Sequence, residues 1–351
     1  MSIRTVLVCG LLLLAGLPAR PGADDCSALG DVQFVCGQAG PEDLALVPGG
    51  QWVIAGGDTG EDGALRLVRV RDRTTTILFP SADAQERFAA DAYPGCPGPI
   101  DGAEKQSLKF RTHGLSVHPG RDRVHRLFVV FHGKRESIEV FELNVRGAVP
   151  RVTWIGCVVA PPPIGLNAVV GLPDGGFVAT NFMARDIDAN ARARMLAGER
   201  NGELWEWHRG QDWKRLPGTE VAGPNGVEIS PDGKWLFVAA FGSQGLVRLS
   251  RGDGPVARDE VPLGFRVDNI RWAPDGSIFA AGPGGTAPMQ TSNVVKVDPK
   301  TLAVRPLIKY PYNDRFRFGT AAIQIGKEIW VGSNRGDRIA RFSIDRRSAS
   351  R

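Results

Sequence analysis

No Cys-x-x-Cys pair occurs in the sequence, which removes the zinc ribbon and the dithiol redox motif from consideration. Gly-x-Ser-x-Gly is also missing, so a serine nucleophile on a strand-to-helix elbow is not expected. Gly282–Gly285 is glycine-rich but lacks the Lys-Ser/Thr of a phosphate loop. No basic run carries interleaved aromatics. The formal charge of +5 is modest for 351 residues, so nucleic acid is not an expected partner. Arg335-Gly336-Asp337 reads as a common tripeptide in a polar turn, and Arg346–Arg351 as a solvated tail. Beyond the first residues no apolar run is long enough to span a bilayer, so the mature chain is expected to have no transmembrane segment.

What is present begins with a secretory leader. Arg4 supplies the positive start, and Thr5–Leu17 is apolar but short. Small residues follow at Ala19 and Ala23, and cleavage is expected after Ala19 or as late as Ala23. The reading is a signal peptide over 1–19 and a folded domain over 24–346, exported to a periplasm or out of the cell. Cys9 lies in the leader, which leaves Cys26, Cys36, Cys96 and Cys157. An even count in an exported chain fits two disulfides, with three pairings open. Closeness in sequence favours Cys26–Cys36, and hence Cys96–Cys157.

Hydrophobic content of 42% and charged content of 23% describe an ordinary globular protein, and 44 glycines with 25 prolines suit many short strands joined by tight turns. The clearest unit runs from Gly223 to Phe241: a polar turn around Asn225, a short strand, Pro231-Asp232-Gly233, and a second apolar strand. Asp-Gly between two apolar runs is a strong hairpin signal, because glycine accepts the positive φ of a tight turn. Looser copies run over Asp43–Gly56, Gly114–Phe131, Asn167–Asn181, Asn269–Gly282 and Ala321–Ser333. Further strand-like runs lie between them. A period near fifty residues, with roughly four strands per period, predicts an all-β fold, a six-bladed β-propeller. Asp186–Leu196 breaks the pattern and is rich in helix formers, which leaves two readings open: a surface helix over the mouth of the ring, or an ordinary excursion between strands.

Polar residues recur where each inner strand begins. Glu42, Asn167, Asn225, Asp268 and Asn269 would place five side-chain oxygens at the channel mouth. Hard cations take such ligands, and with no sulfur in the set Ca²⁺ is favoured over Zn²⁺, Mg²⁺ and Mn²⁺ remaining open. His113 opens the second hairpin and His132 ends its second strand, so the two rings could form a pair that activates water. His118, His125 and His208 lie in turn or edge contexts.

Several blocks resemble the paraoxonase-type arylesterase/lactonases, which are related to the regucalcin/gluconolactonase group. They are Pro-Glu-Asp-Leu at 41–44, Thr-His-Gly-Leu-Ser at 112–116, and Leu-Phe-Val-Val-Phe-His at 127–132 followed by Glu139 to Leu143. Leu166-Asn167, Gly223-Pro-Asn-Gly-Val, Ser230-Pro-Asp-Gly and Val267-Asp-Asn-Ile complete a likeness spanning Pro41 to Ile344. The resemblance implies a catalytic calcium on Glu42, Asn167, Asn225, Asn269 and Asp268, with His113 and His132 as a catalytic pair. It implies a small lactone or ester substrate. A second, buried calcium of that family would use Asp43 and the Leu115 carbonyl, but the third position is Ala168, so a single calcium is expected here. The terminal disulfide of the animal members cannot form, since the last cysteine is Cys157, and strand pairing between the termini is expected to close the ring. Two other readings keep the propeller: a non-catalytic exported calcium-binding protein, and a sugar-lactone hydrolase of the gluconolactonase type. A strictosidine-synthase-like enzyme is disfavoured by the complete metal set.

Overall fold

In the computed structural model the described residues are 26–344, except 58, 61, 107–109 and 186–189. The leader, including Ala19 and Ala23, lies outside them. Six small sheets form a ring, and the predicted six-bladed β-propeller is the fold. The first blade runs Asp43–Leu46, Trp52–Gly56, Leu65–Arg69 and Thr75–Phe79 from the channel outward. The second has Thr112–His118, Val124–His132, Glu136–Asn144 and Arg151–Val159, with Gln85–Glu86 added in parallel at its rim. The third (Leu166–Gly171 to Lys214–Val221), fourth (Pro224–Ile229 to Arg258–Pro262) and fifth (Ile270–Trp272 to Val304–Pro311) are antiparallel meanders of four strands.

The sixth blade is shared between the chain ends. Gly319–Ile325, Glu328–Ser333 and Ile339–Ser343 come from the C-terminal part, and Gln33–Val35 supplies the outer strand, with Phe34 opposite Ala340. This strand pairing closes the ring, as expected. Both disulfides have the pairing that sequence proximity favours, Cys26–Cys36 and Cys96–Cys157. The first brackets the closing strand; the second ties the loop after the first blade to the outer strand of the second.

Local chemistry explains the blades. Gly233 has φ +72° in the Pro-Asp-Gly turn, which a side chain would resist. Leu236–Ala240 is buried throughout because neighbouring blades cover both faces of the sheet, so the strand reads as a continuous apolar run. Side chains from adjacent blades form the core. Phe110 stacks on Phe131 at 5.1 Å, and Phe79 meets Phe110 and Phe141 edge-on. Within Asp186–Leu196 a helix spans Ala191–Leu196, with Ala191 and Met195 buried, and 186–189 lie outside the described residues. Among the described residues no helix is long and apolar enough to cross a membrane.

Candidate functional site

The predicted site residues meet at one end of the channel, where the inner strands begin. Glu42 directly precedes the first blade's inner strand and Asn269 the fifth's, whereas His113, Asn167 and Asn225 are second residues of theirs. A local device aims the last three. In the second, third and fourth blades the pairing slips by one residue at this point, between Thr112 and Leu115, Leu166 and Val169, and Pro224 and Val227. Each slip is a β-bulge, and such bulges turn a strand and re-aim its side chains. The sixth blade bulges between Gly319 and Ala322, which brings in a residue the sequence reading missed. Thr320 donates its hydroxyl to the Glu42 carbonyl at 2.7 Å, and its own carbonyl accepts the Asn269 N–H. The repeat read from the sequence starts its sixth copy at Ala321, one residue past Thr320, so this hydroxyl lay outside it.

Contacts link the set. Asn269 Nδ2 donates to Glu42 Oε1 at 2.8 Å, and His113 Nε2 lies 3.4 Å from the same oxygen and 3.4 Å from Asn167 Nδ2. The Asp268 carboxyl is within hydrogen-bonding reach of Glu42 and Asn225. Burial and the adjacent Glu42 charge push Asp268 well above the usual carboxylate range. Burial works on Glu42 too, but His113 and its hydrogen bonds outweigh it and hold Glu42 low. Two buried carboxylates in contact are costly without a cation between them.

The oxygens themselves test whether an ion fits. Glu42 Oε2, Asn167 Oδ1, Asn225 Oδ1 and Asn269 Oδ1 are buried with no hydrogen-bond partner in the protein. Unpaired buried oxygens are rare because each forfeits its hydration. Four in one cluster, one of them from Glu42, beside the Asp268 carboxyl match the demand of a hard divalent cation. Among the described residues no group of three His, Cys, Asp or Glu side chains suits a metal, so the amides are needed to complete any set.

His113 and His132 are brought together. His113 Nδ1 lies 2.9 Å from His132 Nε2, and His132 Nδ1 lies 2.9 Å from Glu136 Oε2. Glu136 is the cross-strand partner of His132, and its other oxygen accepts the Leu166 N–H at 2.6 Å. Arg185 Nη2 sits 2.6 Å from Glu136 Oε2 and 2.8 Å from His132 Nδ1. The signal for Glu136 was a carboxylate across the hairpin turn from a candidate histidine; Arg185 carried none. Burial lowers the His132 pKa more than Glu136 raises it. Beside the pair a cavity of about 500 Å³ is walled by Asn167, Phe182, Arg185 and Arg192.

The remaining residues separate from the site. His208 is held between Asp174 and Glu206, and His125 accepts the Gly120 N–H at 3.0 Å. Asp43 and the Leu115 carbonyl do converge, but on a guanidinium: Arg271 Nη2 bonds to the Asp43 carboxylate and, at 2.8 Å, to the Leu115 carbonyl. Ala168 is buried nearby and offers no ligand. At the place where the resemblance implies a second ion, an arginine therefore contacts Asp43 and the Leu115 carbonyl.

No protein-family model matches the sequence, and no curated protein matches it. Solved structures do resemble it. A gluconolactonase from Xanthomonas campestris superposes with a TM-score of 0.53 at 15% identity, over 89% of each chain. A luciferin-regenerating enzyme gives 0.52 at 13% identity, over 88% of this chain and 91% of the other. The PQQ-bound aldose sugar dehydrogenase of Streptomyces coelicolor gives 0.52 at 15%, over 88% and 97%. Likeness at such identity speaks for the fold, and a fold hosts unrelated chemistries. The chain therefore shares its propeller architecture with the gluconolactonase group.

Proposed function

We propose that the protein is an exported hydrolase of lactones or aryl esters that depends on a divalent cation, Ca²⁺ by its ligand chemistry. The observation that carries the reading is the coincidence of two features at one channel mouth: four unpartnered buried oxygens beside Asp268, and the Glu136–His132–His113 relay against them. Glu42, Asn167, Asn225, Asp268 and Asn269 would hold the ion. A bound cation would polarise the substrate carbonyl and favour negative charge on its oxygen.

The chain's own residues supply the base. Glu136 accepts the Nδ1 proton of His132 and thereby fixes that tautomer; His132 Nε2 then accepts the Nδ1 proton of His113. This leaves the His113 Nε2 lone pair facing Asn167 and Glu42, where it takes a proton from the attacking water. Arg185 holds Glu136 charged: burial alone would raise this carboxyl, but His132 and the guanidinium keep it below its usual value. The relay has no evident use in a purely binding protein. A sugar-lactone hydrolase is the second reading, for which Arg185, Arg192 and Asn167 beside the pair offer hydrogen-bond donors to substrate hydroxyls.

The deciding assay is hydrolysis of aliphatic lactones, sugar lactones and phenyl acetate, with calcium and with a chelator. Turnover should vanish with chelator and return with calcium, and Asp268→Ala or Glu42→Ala should abolish it in a folded chain. Full activity in either folded variant would remove the assignment. Calcium binding without turnover of any substrate would leave a non-catalytic calcium-binding propeller.

A further inference from the structure

Beneath the channel mouth a buried arginine does what a metal ion could do. Arg271 is the middle residue of the fifth blade's inner strand, Ile270–Trp272, and its side chain is 12% exposed. Its guanidinium is surrounded by oxygens from four blades. Nη2 reaches the fully buried Asp43 carboxylate and the Leu115 carbonyl (2.8 Å); Nε reaches the Leu44 carbonyl (3.1 Å). Nη1 reaches the carbonyl of Ile270 (2.9 Å) and Glu228 Oε1 (3.4 Å). Two carboxylates and two carbonyls from neighbouring inner strands would form an all-oxygen cage of the kind calcium takes, were the guanidinium removed. The arginine is planar, always charged and tethered, so it satisfies this cage without any exchangeable ion.

We propose that Arg271 is a built-in cation that takes the place of a second metal ion. It ties the inner strands of the first, second, fourth and fifth blades together across the channel and steadies the strand start that presents Glu42. It also lines the cavity of about 640 Å³ at the opposite end of the inner strands. The chain then needs no divalent ion at this level, and losing the guanidinium would convert the cage into a divalent-cation site.

The test compares the full exported chain with Arg271→Met and Arg271→Lys. Each is stripped with chelator, saturated with calcium chloride and freed of excess, and the calcium bound per chain is counted by atomic emission. Arg271→Met should hold one calcium more than the unaltered chain, melt lower in chelator, and gain more in Tm on calcium addition. Arg271→Lys keeps a charge and should hold the unaltered number. Two calcium ions on the unaltered chain would overturn the proposal. So would an Arg271→Met chain that folds with no additional ion, or that stays unfolded in calcium. Because the readout is a difference between chains, it does not depend on whether the upper site hydrolyses lactones or holds an ion.

Discussion

Removing calcium should cost the fold a measurable part of its stability, and the unpartnered oxygens set the scale. Glu42 Oε2, Asn167 Oδ1, Asn225 Oδ1 and Asn269 Oδ1 are buried with nothing to accept from. Each unpaired buried polar atom costs about 1–3 kcal/mol, so four cost about 4 kcal/mol at the low end. Unfolding entropy near 2.1 cal/mol/K per residue comes to about 0.7 kcal/mol/K for about 320 residues. The quotient is a shift of about 6 °C in Tm. Differential scanning calorimetry of the chain in chelator and in excess calcium measures it directly. Magnesium should recover less, because it demands stricter octahedral geometry and dehydrates reluctantly. Asn225→Leu removes one of the four oxygens and should shrink the calcium-dependent shift. Identical melting in chelator and calcium, with a flat calcium titration, would refute the reasoning that these oxygens await a cation.

Three further outcomes are expected. Glu136→Gln removes the charge that orients His132, so kcat/KM for the best lactone should fall about 10²- to 10⁴-fold with KM little changed; unaltered kcat would remove Glu136 from the relay. At Gly226 an added Cβ would come within 2.7 Å of the Ile270 nitrogen and 2.8 Å of Asn269 Cα, where backbone cannot yield cheaply. Gly226→Ala should therefore destabilise by about 1–3 kcal/mol and weaken calcium binding, read by isothermal calorimetry, since Asn225 and Asn269 flank the clash. His208 is partly desolvated, which lowers its pKa, but Glu206 and Asp174 outweigh this and raise it. A raised folded pKa stabilises fully below the ordinary histidine value and is lost as pH rises through the folded one. The Tm difference between the unaltered chain and His208→Gln should accordingly close on the alkaline side; a difference that grows there would contradict the assignment.

The blades were legible because what makes them is local. Pro231-Asp232-Gly233 with apolar runs on either side specifies a hairpin whatever surrounds it, and the repeat of that unit specifies the ring. Glu42, Asn167, Asn225, Asp268, Asn269, His113 and His132 could be picked out because repetition puts equivalent positions at one end of a channel. Glu136 was within reach of the same logic, as the residue paired with His132 across a turn.

What the sequence by itself determined was therefore the periodic part: strand, turn, blade number, and the polar residues that open the inner strands. Tertiary structure alone decided the rest. Bulges of one residue at His113, Asn167, Asn225 and Thr320 were not read from the sequence and appear only in how the strands pair. Arg271 meets Asp43 across 228 positions of chain, and Arg185 meets Glu136 across 49. A charged side chain reads as surface until the ring closes around it. Its burial then depends on partners that only closure brings within reach, because a buried charge persists only where distant oxygens satisfy every donor.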